Sequence, residues 1–144
     1  MNLTFKKQNR WQPISLDELN EFETLIGMSL PEDYKAFMLE HNGGSIENLN
    51  HINYPNGEQG LARLFSIKYG SGFTMEKMFL SNTERIPKGH LVIGSTNLGA
   101  RIIISLNDDE TYGTTLEWLD EDGAYNSLSP SFTQLLNDMV PSKG

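Results

Sequence analysis

The chain has 144 residues, no cysteine, and a formal net charge of −8 with a pI near 4.8. This length suits one domain with its own hydrophobic core, and the missing thiols exclude disulfides, thiolate zinc sites and cysteine nucleophiles. The negative charge argues against partners that are themselves negative, namely nucleic acid and anionic membrane surfaces.

The N-terminal segment, residues 1–13, contains no apolar run of signal-peptide length. No later stretch has enough consecutive apolar residues to span a bilayer. Together with the absence of cysteine, these features predict a cytoplasmic protein.

A first helix is predicted from Ser15 to about Ile26. Ser15 and Glu18 have the spacing of a capping box, in which each side chain accepts a hydrogen bond from the other residue's backbone N–H. Apolar residues follow at helical spacing, and Gly27 supplies the left-handed conformation that ends many helices.

A second helix is predicted from Pro31 to the Gly43-Gly44 pair. Pro31 suits the first helical position because a backbone N–H there would have no partner inside the helix. The two glycines favour a left-handed stop. An apolar stripe at helical spacing, which must pack against another element, consists of Tyr34, Phe37, Met38 and His41.

The order of the remaining elements indicates the fold class. Residues 45–60 are rich in Asn, Gly and His and are predicted to form a loop. Helices therefore come first, strands follow, and a helix closes the chain, which predicts a single α+β domain over residues 1–144 with a mainly antiparallel sheet. Strands are predicted at 61–69, 91–93, 101–106, 114–119 and 125–128, a short helical turn at 75–80, and a C-terminal helix from Ser129 or Pro130 that ends before Pro141.

The segment Leu-Pro-x-x-Tyr-Lys-x-Phe, followed by Asn-Gly-Gly within residues 30–44, resembles the N-terminal core helix of the Smi/Knr-like branch of the SUKH superfamily. Ile86-Pro87 and the closing Ser131-Phe132-x-x-Leu135-Leu136 fit the same family, so the resemblance covers residues 15–139 approximately. It implies the Smi/Knr-like fold, with two N-terminal helices and a C-terminal helix packed on the sheet. For bacterial members it implies immunity proteins that bind and neutralise toxins, many of them nucleases.

The negative charge is concentrated late in the chain. No lysine or arginine lies between Arg101 and Lys143, and the acids of this stretch equal the whole formal excess of eight. Any electrostatic field of the protein should therefore come from this third. The residues predicted to bind a partner are Asp108, Asp109, Glu110, Glu117, Trp118, Asp120, Glu121 and Asp122.

Two alternatives stand for these residues. The acidic loops 108–110 and 120–122 are either solvated loops or a docking site for a basic partner, and neither has the spacing of a calcium loop. Because neighbouring strand residues point to opposite faces, one of Glu117 and Trp118 is expected in the core and the other outside. An outward Trp118 would anchor a cationic surface, and an inward one would be ordinary core.

No catalytic or metal-binding constellation is recognisable. His41, His51 and His90 lack the i, i+4 spacing of paired metal ligands on a helix, and His41 is expected to be a half-buried residue at a helix end. No glycine-rich loop opens a helix in the way a phosphate-binding loop does. We therefore expect no enzyme activity, no cofactor and no metal.

Two functions from different classes fit the sequence. The first is an immunity protein that binds a cognate nuclease toxin with a basic surface through the acidic residues. The second is an intracellular scaffold or regulatory module of the cell-wall and glucan-synthesis-regulator type, which would use residues 45–60 and the sheet edge. A neighbouring gene for a large secreted protein with a toxic C-terminal domain would favour the first.

Overall fold

Six strands form one sheet in which each strand pairs antiparallel with its neighbour in sequence. The computed structural model describes residues 4–5, 12–48, 51–54, 57–70, 74–81, 86–119 and 124–141. Within these residues the elements are α1 Leu16–Ile26, α2 Glu32–His41, β1 His51–Tyr54, β2 Gly57–Leu64, α3 Met75–Ser81, β3 His90–Thr96, β4 Arg101–Ser105, β5 Thr115–Trp118, β6 Tyr125–Ser129 and α4 Phe132–Asn137.

The predicted α+β class is confirmed. Helices α1 and α2 precede the sheet, α4 follows it and packs against β6 and α2, and α3 packs against β3. The sheet is an antiparallel meander without a crossover, so residues close in sequence also lie close in the sheet.

Both N-terminal helices begin and end near their predicted limits. At α1, Ser15 and Glu18 form the predicted capping box, and Gly27 ends the helix in the left-handed conformation with φ of 71°. At α2, Pro31 is the residue before the first helical turn, and Asn42, with φ of 48°, takes the left-handed position before the glycines.

The prediction of a loop over residues 45–60 was wrong for its second half. β1 pairs with β2 from His51 opposite Gly60 to Tyr54 opposite Gly57. The His51 N–H and C=O also bond to the C=O and N–H of Val140, each at 2.9 Å. This strand depends on a partner 89 positions later in the chain, which no local pattern reveals.

The predicted strand at 61–69 ends at Leu64 instead. The buried Asn42 side chain takes both backbone groups of Ile67: its Oδ1 accepts from the Ile67 N–H at 2.8 Å, and its Nδ2 donates to the Ile67 C=O at 3.0 Å. A side chain therefore replaces a neighbouring strand here. Lys68 follows in a left-handed conformation with φ of 65°, which further excludes regular strand geometry.

The sheet and the helices share one hydrophobic core. Ile102, Ile103 and Ile104 of β4 are all fully buried, so this strand is covered on both faces as predicted. The Phe132 ring of α4 packs edge-on against the rings of Tyr34 and Phe37 at centroid distances of 4.9 and 5.0 Å. These contacts join the N-terminal and C-terminal helices.

Candidate protein-binding surface

An open groove of about 780 Å³ crosses β5 and β6. Residues two apart in a strand lie on the same face, so Leu116 and Trp118 of β5 point into the groove together. Tyr125 lies opposite Trp118 in the register, and Ser127 lies opposite Leu116. The groove floor is thus largely apolar, and its aromatic part consists of Trp118 and Tyr125.

The two aromatic residues differ in exposure. Trp118 is only 8% exposed and belongs to the core, whereas Tyr125 is 58% exposed. Tyr125 was not among the predicted binding residues. A signal for it existed, because the predicted strands 114–119 and 125–128 are separated by only a few residues. Such a short connection favours a hairpin, in which Trp118 and Tyr125 lie close to the turn on opposite strands.

The expectation that either Glu117 or Trp118 would face outward was wrong, because both are buried. Glu117 is 3% exposed, on the opposite face of β5 from Trp118. Its Oε1 accepts from Asn126 Nδ2 at 2.9 Å, while Oε2 has no hydrogen-bond partner among the described residues. Alternation separates the two faces of a strand but cannot show that both are covered.

The acidic loop between β4 and β5 lies at the groove's rim. Asp108, Asp109 and Glu110 are all exposed, and Asp109 lines the groove together with His90. In the described part of the chain, neither Asp108 nor Glu110 has a lysine or arginine within ion-pair distance. Their charges are therefore available to a partner.

Internal hydrogen bonds hold this loop in place. Asp109 Oδ1 accepts from the Thr111 hydroxyl at 2.5 Å and from its backbone N–H at 2.8 Å. These bonds, with a smaller effect of nearby His90, lower the pKa of the Asp109 carboxyl. Tyr112 OH donates to the Ser29 C=O at 2.8 Å, which ties the loop to the connection between α1 and α2.

The structure thus brings together only some of the predicted binding residues. Asp108, Asp109 and Glu110 form one exposed group, and Trp118 borders the same groove. Glu117 lies inside the molecule. The predictions for Asp120, Glu121 and Asp122 fall outside the described residues.

His41 and His90 each contact neighbouring groups of the fold. His41 packs against the rings of Phe5 and Phe37, at centroid distances of 4.5 and 5.0 Å. His90 Nδ1 lies 3.1 Å from the Lys88 C=O. Among the described residues, no three His, Asp or Glu side chains are grouped to hold a metal ion.

Comparison with known proteins identifies the family. The SMI1 / KNR4 family (SUKH-1) matches residues 13–138, which is most of the chain. The chain belongs to this family. Membership in SUKH-1 is consistent with a protein-binding domain of the immunity type on a fold that is generally non-catalytic.

A search of curated proteins gives no significant match. Across the described residues, no helix has both the length and the apolar character needed to cross a membrane.

Proposed function

We propose that this SUKH-1 protein is an immunity protein that binds and neutralises a cognate toxin, a nuclease with a basic cleft. The observation that carries this proposal is the group of exposed carboxylates on a fixed loop, beside an open apolar groove. Neither feature requires chemistry on a substrate. Both are what a protein needs to hold a cationic partner surface.

The acidic loop and the groove have different roles in this mechanism. Nucleases place lysine and arginine in their clefts to hold phosphates, so the net charge of −8 attracts such a cleft over a distance and speeds encounter. After contact, apolar surface around Tyr125 is removed from water and slows dissociation. The bound toxin then has no access to nucleic acid.

Asp109 serves mainly to shape the loop, because its carboxylate is already held by Thr111. Asp108 and Glu110 are the carboxylates that would meet the partner directly. Asp120, Glu121 and Asp122 are further partner-binding residues in this proposal. The protein would act in the cytoplasm, where a nuclease toxin meets its substrate.

The proposal is tested by co-expression with the toxic C-terminal domain encoded by an adjacent gene. We expect this chain alone to restore growth of cells that produce the active domain. A catalytically inactive copy of the same domain should co-purify with the chain, which separates binding from any effect on expression. Unrestored growth with both proteins present in soluble form would contradict the proposal.

The scaffold alternative is non-catalytic, like the proposed immunity function. The two functions differ in the partner that the chain binds. In the scaffold alternative, the chain binds endogenous proteins and does not help cells survive a toxin. The growth assay therefore separates the two functions. One of its predicted surfaces, residues 45–60, is occupied in part by β1, which pairs with β2 and Val140.

A further inference from the structure

The two edges of the sheet differ in how their backbone groups are used. β1 lies at one edge, and its His51 N–H and C=O are both bonded to Val140. β6 lies at the other edge and, among the described residues, pairs only with β5. Tyr125, Asn126 and Ser127 of β6 are all exposed.

The positions of the hydrogen bonds between β5 and β6 show which backbone groups of β6 point away from β5. The Leu119 N–H donates to the Ala124 C=O at 2.9 Å, so Leu119 opposite Ala124 is a hydrogen-bonded pair. Such pairs alternate along an antiparallel ladder, which makes Glu117 opposite Asn126 the next one. The backbone N–H and C=O groups of Tyr125 and Ser127 therefore point away from β5.

The outer edge of β6 lacks two of the usual protections against pairing. Proteins commonly guard exposed edges with charged side chains or proline within the strand. β6 reads Tyr-Asn-Ser-Leu-Ser and contains neither. Pro130 follows only after its last residue. The register shift between β5 and β6 lies beyond Ser127, between the pairs Leu116–Ser127 and Thr115–Ser129. An edge of this kind accepts an additional strand through main-chain hydrogen bonds.

The groove connects this edge to the acidic loop. Tyr125 and Ser127 line it from β6, and Asp109 and Thr111 line it from the loop. Thr115, at the start of β5, pairs with Ser129 at the end of β6, so the loop before β5 and the C-terminal end of β6 lie at the same end of the sheet. A strand laid along β6 would therefore have one end on the side of the molecule that carries the exposed carboxylates of Asp108 and Glu110, and a lysine or arginine side chain is favoured there.

We propose that β6 is a docking edge for an extended, basic segment of the partner protein, which adds to the sheet as a seventh strand and directs a lysine or arginine toward Asp108 and Glu110. This inference rests on the proposed protein-binding function and adds the mode of binding to it. A second copy of this chain is a poorer occupant, because each copy carries a net charge of −8 and the two would repel.

Ser127→Pro is the variant that removes the proposed contact. Proline lacks an N–H, and alternation along the ladder places the Ser127 N–H on the side of β6 that faces away from β5. Ser127→Ala keeps the N–H and serves as the matched control. We expect the affinity of Ser127→Pro for the inactive toxin domain to be about tenfold or more below that of Ser127→Ala, because only the proline variant lacks the N–H. An unchanged melting temperature of both variants shows that the fold is kept.

A second measurement needs no toxin. The full ¹⁵N-labelled chain is titrated with a capped octapeptide in which threonine and lysine alternate, and NMR shifts are followed. We expect the amides of Tyr125 and Ser127 to shift and to exchange more slowly with water. The same peptide with all of its amides N-methylated, and a threonine–glutamate version, should not produce these changes.

The outcomes separate this inference from the proposed function. Restored growth together with equal affinities of Ser127→Pro and Ser127→Ala for the inactive toxin domain would overturn strand addition and leave immunity standing. If the β6 amides respond to the peptide but the chain restores no growth, strand addition is supported and the immunity function is contradicted. Absence of a response at β6, equal binding of the N-methylated peptide, or a dimer formed through β6 would each overturn strand addition.

Discussion

Two groups of carboxylates in this protein are used in different ways. On the helical side, Glu18 accepts hydrogen bonds from the Ser15 N–H and the Tyr69 hydroxyl and pairs with Lys68 Nζ at 2.9 Å. At the groove's rim, Asp108 and Glu110 are exposed without a cationic neighbour among the described residues. The first group joins elements of the fold, and the second remains available to a partner. Net charge alone does not distinguish them.

Charge reversal at the rim should have the largest effect. We expect Asp108→Lys with Glu110→Lys to lower the association rate with the inactive toxin domain roughly tenfold or more, because long-range attraction is replaced by repulsion. Stopped-flow measurements at low ionic strength would detect it. Asp109 is left unchanged because it holds the loop.

The matched control changes the overall charge by the same amount elsewhere. Glu21 and Glu40 are exposed on α1 and α2. Glu21→Lys with Glu40→Lys should lower the association rate much less than the rim variant. Equal losses in the two double variants would show that total charge, not the rim, governs encounter.

Glu117 is a third case, a buried carboxylate with one oxygen that has no hydrogen-bond partner in the described part of the chain. We expect Glu117→Met to raise the free energy of unfolding by about 1 kcal/mol, because a buried polar atom without a partner is replaced by apolar contacts. Its exposed neighbour Asn126 can bond to water instead. Urea denaturation measures the change, and a clear loss of stability would contradict this account of Glu117.

Removal of the Glu18 carboxylate should have the smallest effect, a loss of stability that depends on pH. Its hydrogen bonds to Tyr69, Ser15 and Lys68 lower its pKa from 4.5 to about 2. Because the pKa is lower in the folded state, this stabilisation is complete above pH 4.5 and is lost as the pH falls toward 2.

The corresponding variant is Glu18→Gln. We expect a melting temperature roughly a few degrees lower than that of the wild type at pH 7, with the difference disappearing near pH 2. Glu21→Gln, at an exposed position of the same helix, is the control and should show no difference. A Glu18→Gln deficit that persists unchanged at pH 2 would exclude the carboxylate as its cause.

The elements that sequence predicted well are those defined by local signals. The capping box at Ser15 and Glu18 and the C-terminal helix, which buries Phe132, Leu135 and Leu136, each depend on residues within a few positions. The hairpin of β5 and β6 likewise joins neighbouring segments. Such signals reflect backbone geometry and spacing, which sequence contains directly.

The failures all involve distant residues. β1 bonds to Val140, and the segment after Leu64 is held by Asn42, so neither outcome follows from local composition. The burial of both Glu117 and Trp118 requires knowing what covers each face of the sheet. For the same reason, the groove was not predicted, although its acidic rim was.

The central claim, that exposed rim carboxylates hold a cationic partner, is tested most directly by the salt dependence of association with the inactive toxin domain. Between 50 and 300 mM NaCl, the wild-type association rate should fall roughly tenfold as the charges are screened. The rate of the Asp108→Lys, Glu110→Lys variant should change little or rise. Equal salt dependence of the two proteins, or none in the wild type, would contradict the claim.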